Sequence, residues 1–343
     1  MATHEPELTE PVDLCTPDGR RLNPAAKGWS RRPLHRANLA GRWGRTKRWD
    51  YWCVQSDDLI LTLTFADVDY LGLVAVEWIE PHTGRTGRGF DGRPGARGIH
   101  LPEVAGQGHL EHRSRRIDAT IDYRDDATVL TAHWTDPKRG DGHLDIRVAQ
   151  PPGHESLNVV IPWDEQRFQF TSKHQARPAT GTVTIDGEER TIGGAGDPAW
   201  GIFDAGRGRW PYHTIWNWGG AAGDSADGRR VGVQIGAKWT AGTGFTENGV
   251  IVDGRLEKIG EELDWSYDWD RPMEPWRVRD SSGALDIELV PDHDRHSRLA
   301  LGFAHNEVHQ VFGRWTGSVP DGDGGTLRVE AILGFAEESR SRW

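Results

Sequence analysis

The sequence predicts an all-β protein built as two packed antiparallel barrels or sandwiches, with an irregular N-terminal segment wrapped around them. Three observations carry this. Apolar residues almost nowhere recur at helical spacing, whereas about fifteen short runs are β-branched, aromatic or alternating. Clusters of Gly, Pro, Asp and Ser separate these runs at regular intervals, the pattern of sandwiches and barrels. No GxGxxG or P-loop string follows a strand-like run, which removes the usual signature of a nucleotide-binding α/β unit.

The elements follow in order. The segment 1–55 mixes Arg and Trp with too little apolar periodicity for a core of its own, so it is expected to clothe the rest. A first unit, 56–166, opens with the apolar runs 59–69 and 70–80, which meet at Val68-Asp69-Tyr70 as hairpin strands would. It continues through 109–125, 127–134, 144–148 and 157–163, punctuated by PGARG, DPKRGDG and PPGHES. A soft boundary falls at 164–171, with no flexible linker. The second unit, 167–343, begins with RFQFTSKHQ and TGTVTIDGEERTIGG, whose Asp186-Gly187 is a hairpin signal. Its later strands are expected at 231–239, 249–252, 256–259, 263–269, 276–279, 285–290, 299–315 and 326–335.

Composition narrows the function. The chain has 343 residues and 36% hydrophobic content, but 17 Trp, 9 Phe and 5 Tyr supply area, each ring burying roughly 150–250 Å². Net charge is −11, with 41 basic and 52 acidic residues. That sign disfavours nucleic acid or an anionic membrane as the main partner. Interleaved Arg and Trp near the N-terminus read as structural stacking instead. Cys15 and Cys53 are too few for a disulfide framework. Residues 1–13 lack a basic, then apolar, leader pattern, and no run reaches the ~20 apolar residues of a membrane span. The expectation is a cytoplasmic protein with a small-molecule substrate or ligand, and the oligomeric state is not readable.

The most informative stretch runs from Gly196 to Gly249: GDPAWGIFDAGRGRWPYHTIWNWGG, then GAKWTAGTGFTENG. Trp200, Trp210, Trp216, Trp218 and Trp239 share it with Asp197, Asp204, His213, Asn217, Glu247 and Asn248. Ring faces with a few convergent polar groups are what small-molecule pockets are made from. Glu247 is the sharpest candidate acid, because a carboxyl held among indoles is desolvated and its pKa rises; the competing reading is a solvated Asn-Gly turn. Strand alternation puts Trp216 and Trp218 on one face and Asn217, with His213, on the other.

Other clusters are weaker. HNEVH (305–309) is not the helical HExxH motif, but on a strand His305, Glu307 and His309 share a face with Trp315. Two imidazoles and a carboxylate suit a transition metal; with no further ligand set in the sequence, a polar lining is preferred and no metal or cofactor is expected. Asp67 and Asp69 also share a face, and either divide acid and base roles or form an Asx turn. No GxSxG occurs, so a serine triad has no support.

Several strings resemble the uncharacterised family of the domain of unknown function 2804: GWSRRPLHRANLAGRWGRTKRWDYWCV (28–54), FADVDYLG (65–72), GRGRWPYHTIWNWGG (206–220), GTGFTENGVIVDGRLEKIGE (242–261), HQVFGRWTG (309–317) and GFAEESRSRW (334–343). They span nearly the whole chain, but the family carries no settled activity. More distantly, the two-unit layout resembles the tandem lipocalin-like proteins that include carotenoid hydratase, kievitone hydratase and tocopherol cyclase. That likeness implies lipocalin-like barrels and transfers no catalytic residue.

The sequence therefore favours an enzyme performing hydration, dehydration, cyclisation or isomerisation on a small hydrophobic molecule. Glu247, Asp69, Asp204 and Glu307 are the candidate acids and bases. Trp216, Trp218, Trp239, Asn248, His213, His309 and Trp315 are the candidate binding residues. A carbohydrate-active enzyme with paired carboxylates and a non-catalytic lipid or pigment carrier are the alternatives.

Overall fold

The computed structural model describes residues 3–136, 140–194, 196–301 and 304–342. They form two strongly curled antiparallel sheets, of thirteen and nine strands among the described residues, beside a short parallel pair of Val12–Asp13 with His35–Arg36 and a single 3-10 turn at Pro24–Ala26. In the first sheet ten strands run in the spatial order Arg85–Pro94, Leu71–Glu80, Ile60–Asp67, Thr46–Gln55, Ala199–Arg209, Phe168–Ile185, Gly140–Ala149, Ala127–Asp136, Ile117–Tyr123, His109–Arg113, while Leu157–Pro162 and Glu188–Ile192 also pair with Phe168–Ile185 and Trp29–Ser30 pairs with Leu157–Pro162. The second runs Arg255–Ile259, Asn248–Val252, Arg230–Ala237, His213–Asp224, Thr326–Arg342, Ala304–Pro320, Asp286–Leu301, Trp276–Arg279, Asp264–Ser266.

Each sheet curls around its own core because alternate side chains are apolar. The first core holds Trp52, Phe65, Val76, Trp78, Ile121, Trp134, Phe170 and Phe203. The second holds Val233, Trp276, Leu289, Val311, Trp315 and Ala336. Curling brings the first sheet's outer strands together. Trp134 fits between Gly89 and Gly142, where an added Cβ would come within 2.4 and 2.2 Å of it, and His112 pairs with Asp91 at 2.9 Å across the same seam.

Several sequence expectations are corrected here. Thr46–Gln55, read as part of an irregular wrap, is a ten-residue strand inside the first sheet. Phe168–Arg209, placed with the second unit, pairs in the first sheet, so the chain changes sheets at 210–212. The 109–125 run is two strands with a turn at Ser114, and the Arg85–Pro94 strand was missed because its Gly and Arg content hides the alternation. The remaining N-terminal residues do wrap both sheets. Thr3 N–H donates to Gly260 O at 2.6 Å, and Arg31 reaches Glu155 of one sheet's loops and Leu256 O of the other sheet. Cys15 and Cys53 are both free.

Between the sheets lies a third, mixed layer. Cys53, Ile60, Ile79 and Ile202 from the first meet Trp218, Phe312 and Phe335 from the second. Phe168 to Arg177 shows no exposed position, and neither does any residue of Ala199–Arg209. Strands covered on both faces are usually apolar throughout, yet these carry Lys173, Gln175 and Asp204. The polar residues of that buried face define the site.

Candidate functional site

Strand register lines up the polar face. Tyr51 pairs with Asp204, and Asp204 with Lys173, so three side chains form a row across three strands of the first sheet. Opposite them the second sheet presents Gly236, Trp218, Glu337, Gln310 and Arg295, again a continuous row of register partners. Gly236 leaves a gap in that row which the Glu247 carboxyl fills: a Cβ on Gly236 would lie 2.1 Å from Oε1.

Lys173 connects the two rows. Its ammonium lies 3.0 Å from Asp204 Oδ1 and 3.3 Å from Glu247 Oε2, and 4.2 Å over the Trp218 ring. Asp204 also accepts from the Trp49 indole at 3.0 Å and from Thr171 at 3.2 Å. Glu247 accepts from the Trp239 indole at 2.5 Å and from Gln234 at 3.5 Å. Gln234 is oriented by Trp218 and Gln175, which both donate to its Oε1.

Two carboxyls here are held far from their ordinary behaviour. Glu247 is 1% exposed. Burial pushes its pKa up from 4.5 to about 7; Lys173 and the Trp239 hydrogen bond oppose that rise and the charge of Asp204 adds to it. Glu337, which accepts from the Trp216 indole at 2.7 Å, is likewise raised to about 7 by burial, against the Trp216 hydrogen bond and the charge of Arg295. Burial opposes the charge on Lys173 as well, but Asp204 and Glu247 outweigh it and hold the ammonium above the usual lysine range. Desolvation thus favours a neutral carboxyl beside a fixed ammonium.

Aromatic rings close the remaining sides. Trp210 stacks on Trp239 at 5.5 Å and 18°, and tilts against Trp216 at 5.5 Å, Trp163 at 5.1 Å and Trp49 at 5.8 Å. Trp49, Trp163 and Trp216 are partly exposed, so the cluster reaches solvent on that side. Elsewhere along the seam between the sheets a cleft of 940 Å³ is lined by Glu77, Ile79, Arg88, His293, Arg295 and His296 among others. Arg295 pairs with Glu77 and donates to Gln310 at 3.1 Å, so it joins the cleft to the Glu337 row.

The structure brings Glu247, Asp204, Trp216, Trp218 and Trp239 together and separates the other candidates. Asn248 is a strap, accepting from Gly236 N–H at 2.7 Å and donating to Glu261 O at 2.9 Å. Asp69 sits in the hairpin turn at φ +68°, its carboxylate capping Thr46 N–H at 2.9 Å, while Asp67 accepts from Asp69 N–H; this is the Asx-turn reading. His213 is exposed, edge-on to Tyr212. Trp315 faces the second sheet's own core. Glu307 and His309 lie on the Ala304–Pro320 strand, paired there with Asp286–Leu301. Trp218 is also recast, since its ring face holds the Lys173 ammonium rather than an open pocket. Sequence reasoning missed Lys173 and Glu337; the available signal was a charged residue amid a strand with no solvent-facing alternation.

A protein of two curled sheets enclosing a Lys–carboxylate cluster between aromatic rings is the class that fold and site define. The chain belongs to the domain of unknown function family DUF2804, matched over residues 5–343. No curated protein matches it in sequence. Among solved structures it is similar to kievitone hydratase from Nectria haematococca, with 12% identity, 98% of each chain covered and a TM-score of 0.43. It is also similar to CghA with Sch210972, with 12% identity, coverage of 87% and 89%, and a TM-score of 0.42. A putative AttH from Nitrosomonas europaea is similar at 13% identity, coverage of 86% and 92%, and a TM-score of 0.43.

Proposed function

We propose that this chain is an enzyme that acts on a small, partly hydrophobic molecule by acid–base chemistry, with Glu247 as the proton donor. The observation that carries the reading is a carboxyl with its pKa raised to about 7, buried among indoles, with a fixed ammonium 3.3 Å away. A general acid works best when its pKa lies near the operating pH. Donation of the Glu247 proton to a double bond or a leaving oxygen would leave a carboxylate, which Lys173 and the Trp239 N–H are placed to stabilise. The carboxylate then takes a proton back, from an attacking water in hydration or from a neighbouring carbon in elimination or isomerisation. Trp216, partly exposed and with no cation on its face among the described residues, is the indole available to a developing positive charge. Asp204 and Glu247 share one ammonium instead of flanking an open groove, so glycoside cleavage is the less favoured alternative.

The test uses the wild-type protein and Glu247→Gln, each incubated with a small-molecule extract of the source organism and followed by mass spectrometry. A compound gaining or losing one water, or changing retention at constant mass, is expected with wild type alone. Equal turnover by Glu247→Gln removes Glu247 from the mechanism. A compound that co-purifies with both proteins and is never converted makes this a carrier.

A further inference from the structure

Away from that site, the long Asp286–Leu301 and Ala304–Pro320 strands pair within the second sheet, with Thr326–Arg342 on the far side of the latter, and this ribbon gathers four polar side chains on one face. His296 and His309 are direct register partners, and their rings stack at 4.2 Å and 4°. Asp294 lies two residues before His296 and Glu307 two residues before His309, so alternation points all four the same way. His296 Nε2 is 3.1 Å from Glu307 Oε1, and His309 Nδ1 is 2.8 Å from Asp294 Oδ2. Donor atoms of His296, Glu307 and His309 all lie within 4.8 Å of one another. Asp294 Oδ1 is buried with no hydrogen-bond partner. Of the sequence trio, Glu307 and His309 belong to this group, whose second ring is His296 from the paired strand, and His305 lies outside it.

We infer that this ribbon face binds a divalent late transition ion, zinc foremost, through His296, His309 and Glu307, with Asp294 orienting the His309 ring. Imidazole nitrogens with carboxylate oxygens select zinc, cobalt, nickel or copper over magnesium or calcium. A tetrahedral ion holds its donors roughly 3.2–3.5 Å apart, from bond lengths of about 2.0–2.1 Å, and the 3.1 Å contact of His296 with Glu307 already lies near that spacing. His296 is half exposed and also lines the cleft, which gives the ion an entry path. Trp269 packs edge-on against His309 at 4.5 Å and fixes that ring from the other side.

The experiment is calorimetric titration of chelator-treated, full-length protein with zinc chloride, alongside the visible spectrum after cobalt addition. One saturable zinc per chain and a tetrahedral cobalt band are expected. His309→Ala and His296→Ala should each weaken zinc binding at least about tenfold. His82→Ala, which removes the imidazole of the exposed Asp57–Asp58–His82 group, should leave it unchanged. Should His309→Ala fail to fold, His296→Ala decides alone, because its ring packs no core. Absence of saturable binding in wild type, full affinity in the His296 variant, or loss in the His82 variant overturns the assignment.

Discussion

Lys173 of the first sheet reaches to 3.3 Å from Glu247 of the second, and the same ammonium lies 3.0 Å from Asp204 on its own sheet. One positive charge therefore serves two carboxyl groups, all three of them buried. Burial makes a charge on Glu247 costly and the Asp204 carboxylate adds to that cost, which is why the Glu247 carboxyl rises to about 7. The consequences separate the acid from its support.

Glu247→Gln is expected to abolish turnover while leaving the melting temperature at neutral pH within a few degrees. The amide is isosteric with the protonated acid and keeps its acceptor for Trp239 Nε1. Thermal unfolding and activity on the same preparation check this, and a collapse in stability would contradict the neutral-carboxyl picture.

The same variant should change how stability depends on pH. A carboxyl raised from 4.5 to about 7 by folding adds stability that is fully present below about 4.5 and lost as pH rises through about 7, roughly 3 kcal/mol in all. The melting temperature of Glu247→Gln minus that of wild type should accordingly rise between pH 5 and 8. Taking the difference cancels the opposing contribution of His35 and His154, whose pKa values burial lowers to about 4. A flat difference would place the proton elsewhere, and Glu337→Gln is the companion measurement.

Lys173→Met should be far more damaging than Glu247→Gln. It leaves Asp204 buried with the Trp49 and Thr171 hydrogen bonds but no counter-charge, and stranding one member of a buried pair costs about 3–5 kcal/mol. Denaturant titration of the two variants side by side reads the contrast directly.

Gly236→Ala tests positioning. The new methyl would lie 2.1 Å from Glu247 Oε1, so the carboxyl must move away from Trp239 or Lys173. Turnover should fall at least about tenfold, and the apparent acidic pKa should shift. Wild-type turnover and pH profile in Gly236→Ala would mean the acid tolerates displacement and that its packing is incidental.

Strand identity was legible because it depends on neighbours two residues apart. Most of the alternating runs proved to be strands, and the Trp216–Trp218 alternation did place Asn217 on the far side, donating to Tyr267 OH at 2.8 Å. Thr46–Gln55 was hidden because one face of it is polar and buried, with Asp50 paired to Arg207 at 2.6 Å inside the protein. Asp69 and His309 looked like Glu247 in sequence, since a carboxylate or imidazole beside an aromatic ring reads alike in a turn, on a ribbon or in a sealed layer.

The sequence by itself determined the all-β class, the turn positions and the concentration of indoles and carboxyls between Gly196 and Gly249, all consequences of local alternation and turn chemistry. Only the tertiary structure decided that Tyr51, Asp204 and Lys173 form one row, that Glu337 from the last strand joins the facing row, and that Glu247 fills the gap left by Gly236. Register between strands and the stacking of one sheet's outer face on another are set by the summed burial of residues far apart in the chain. No local window carries that sum.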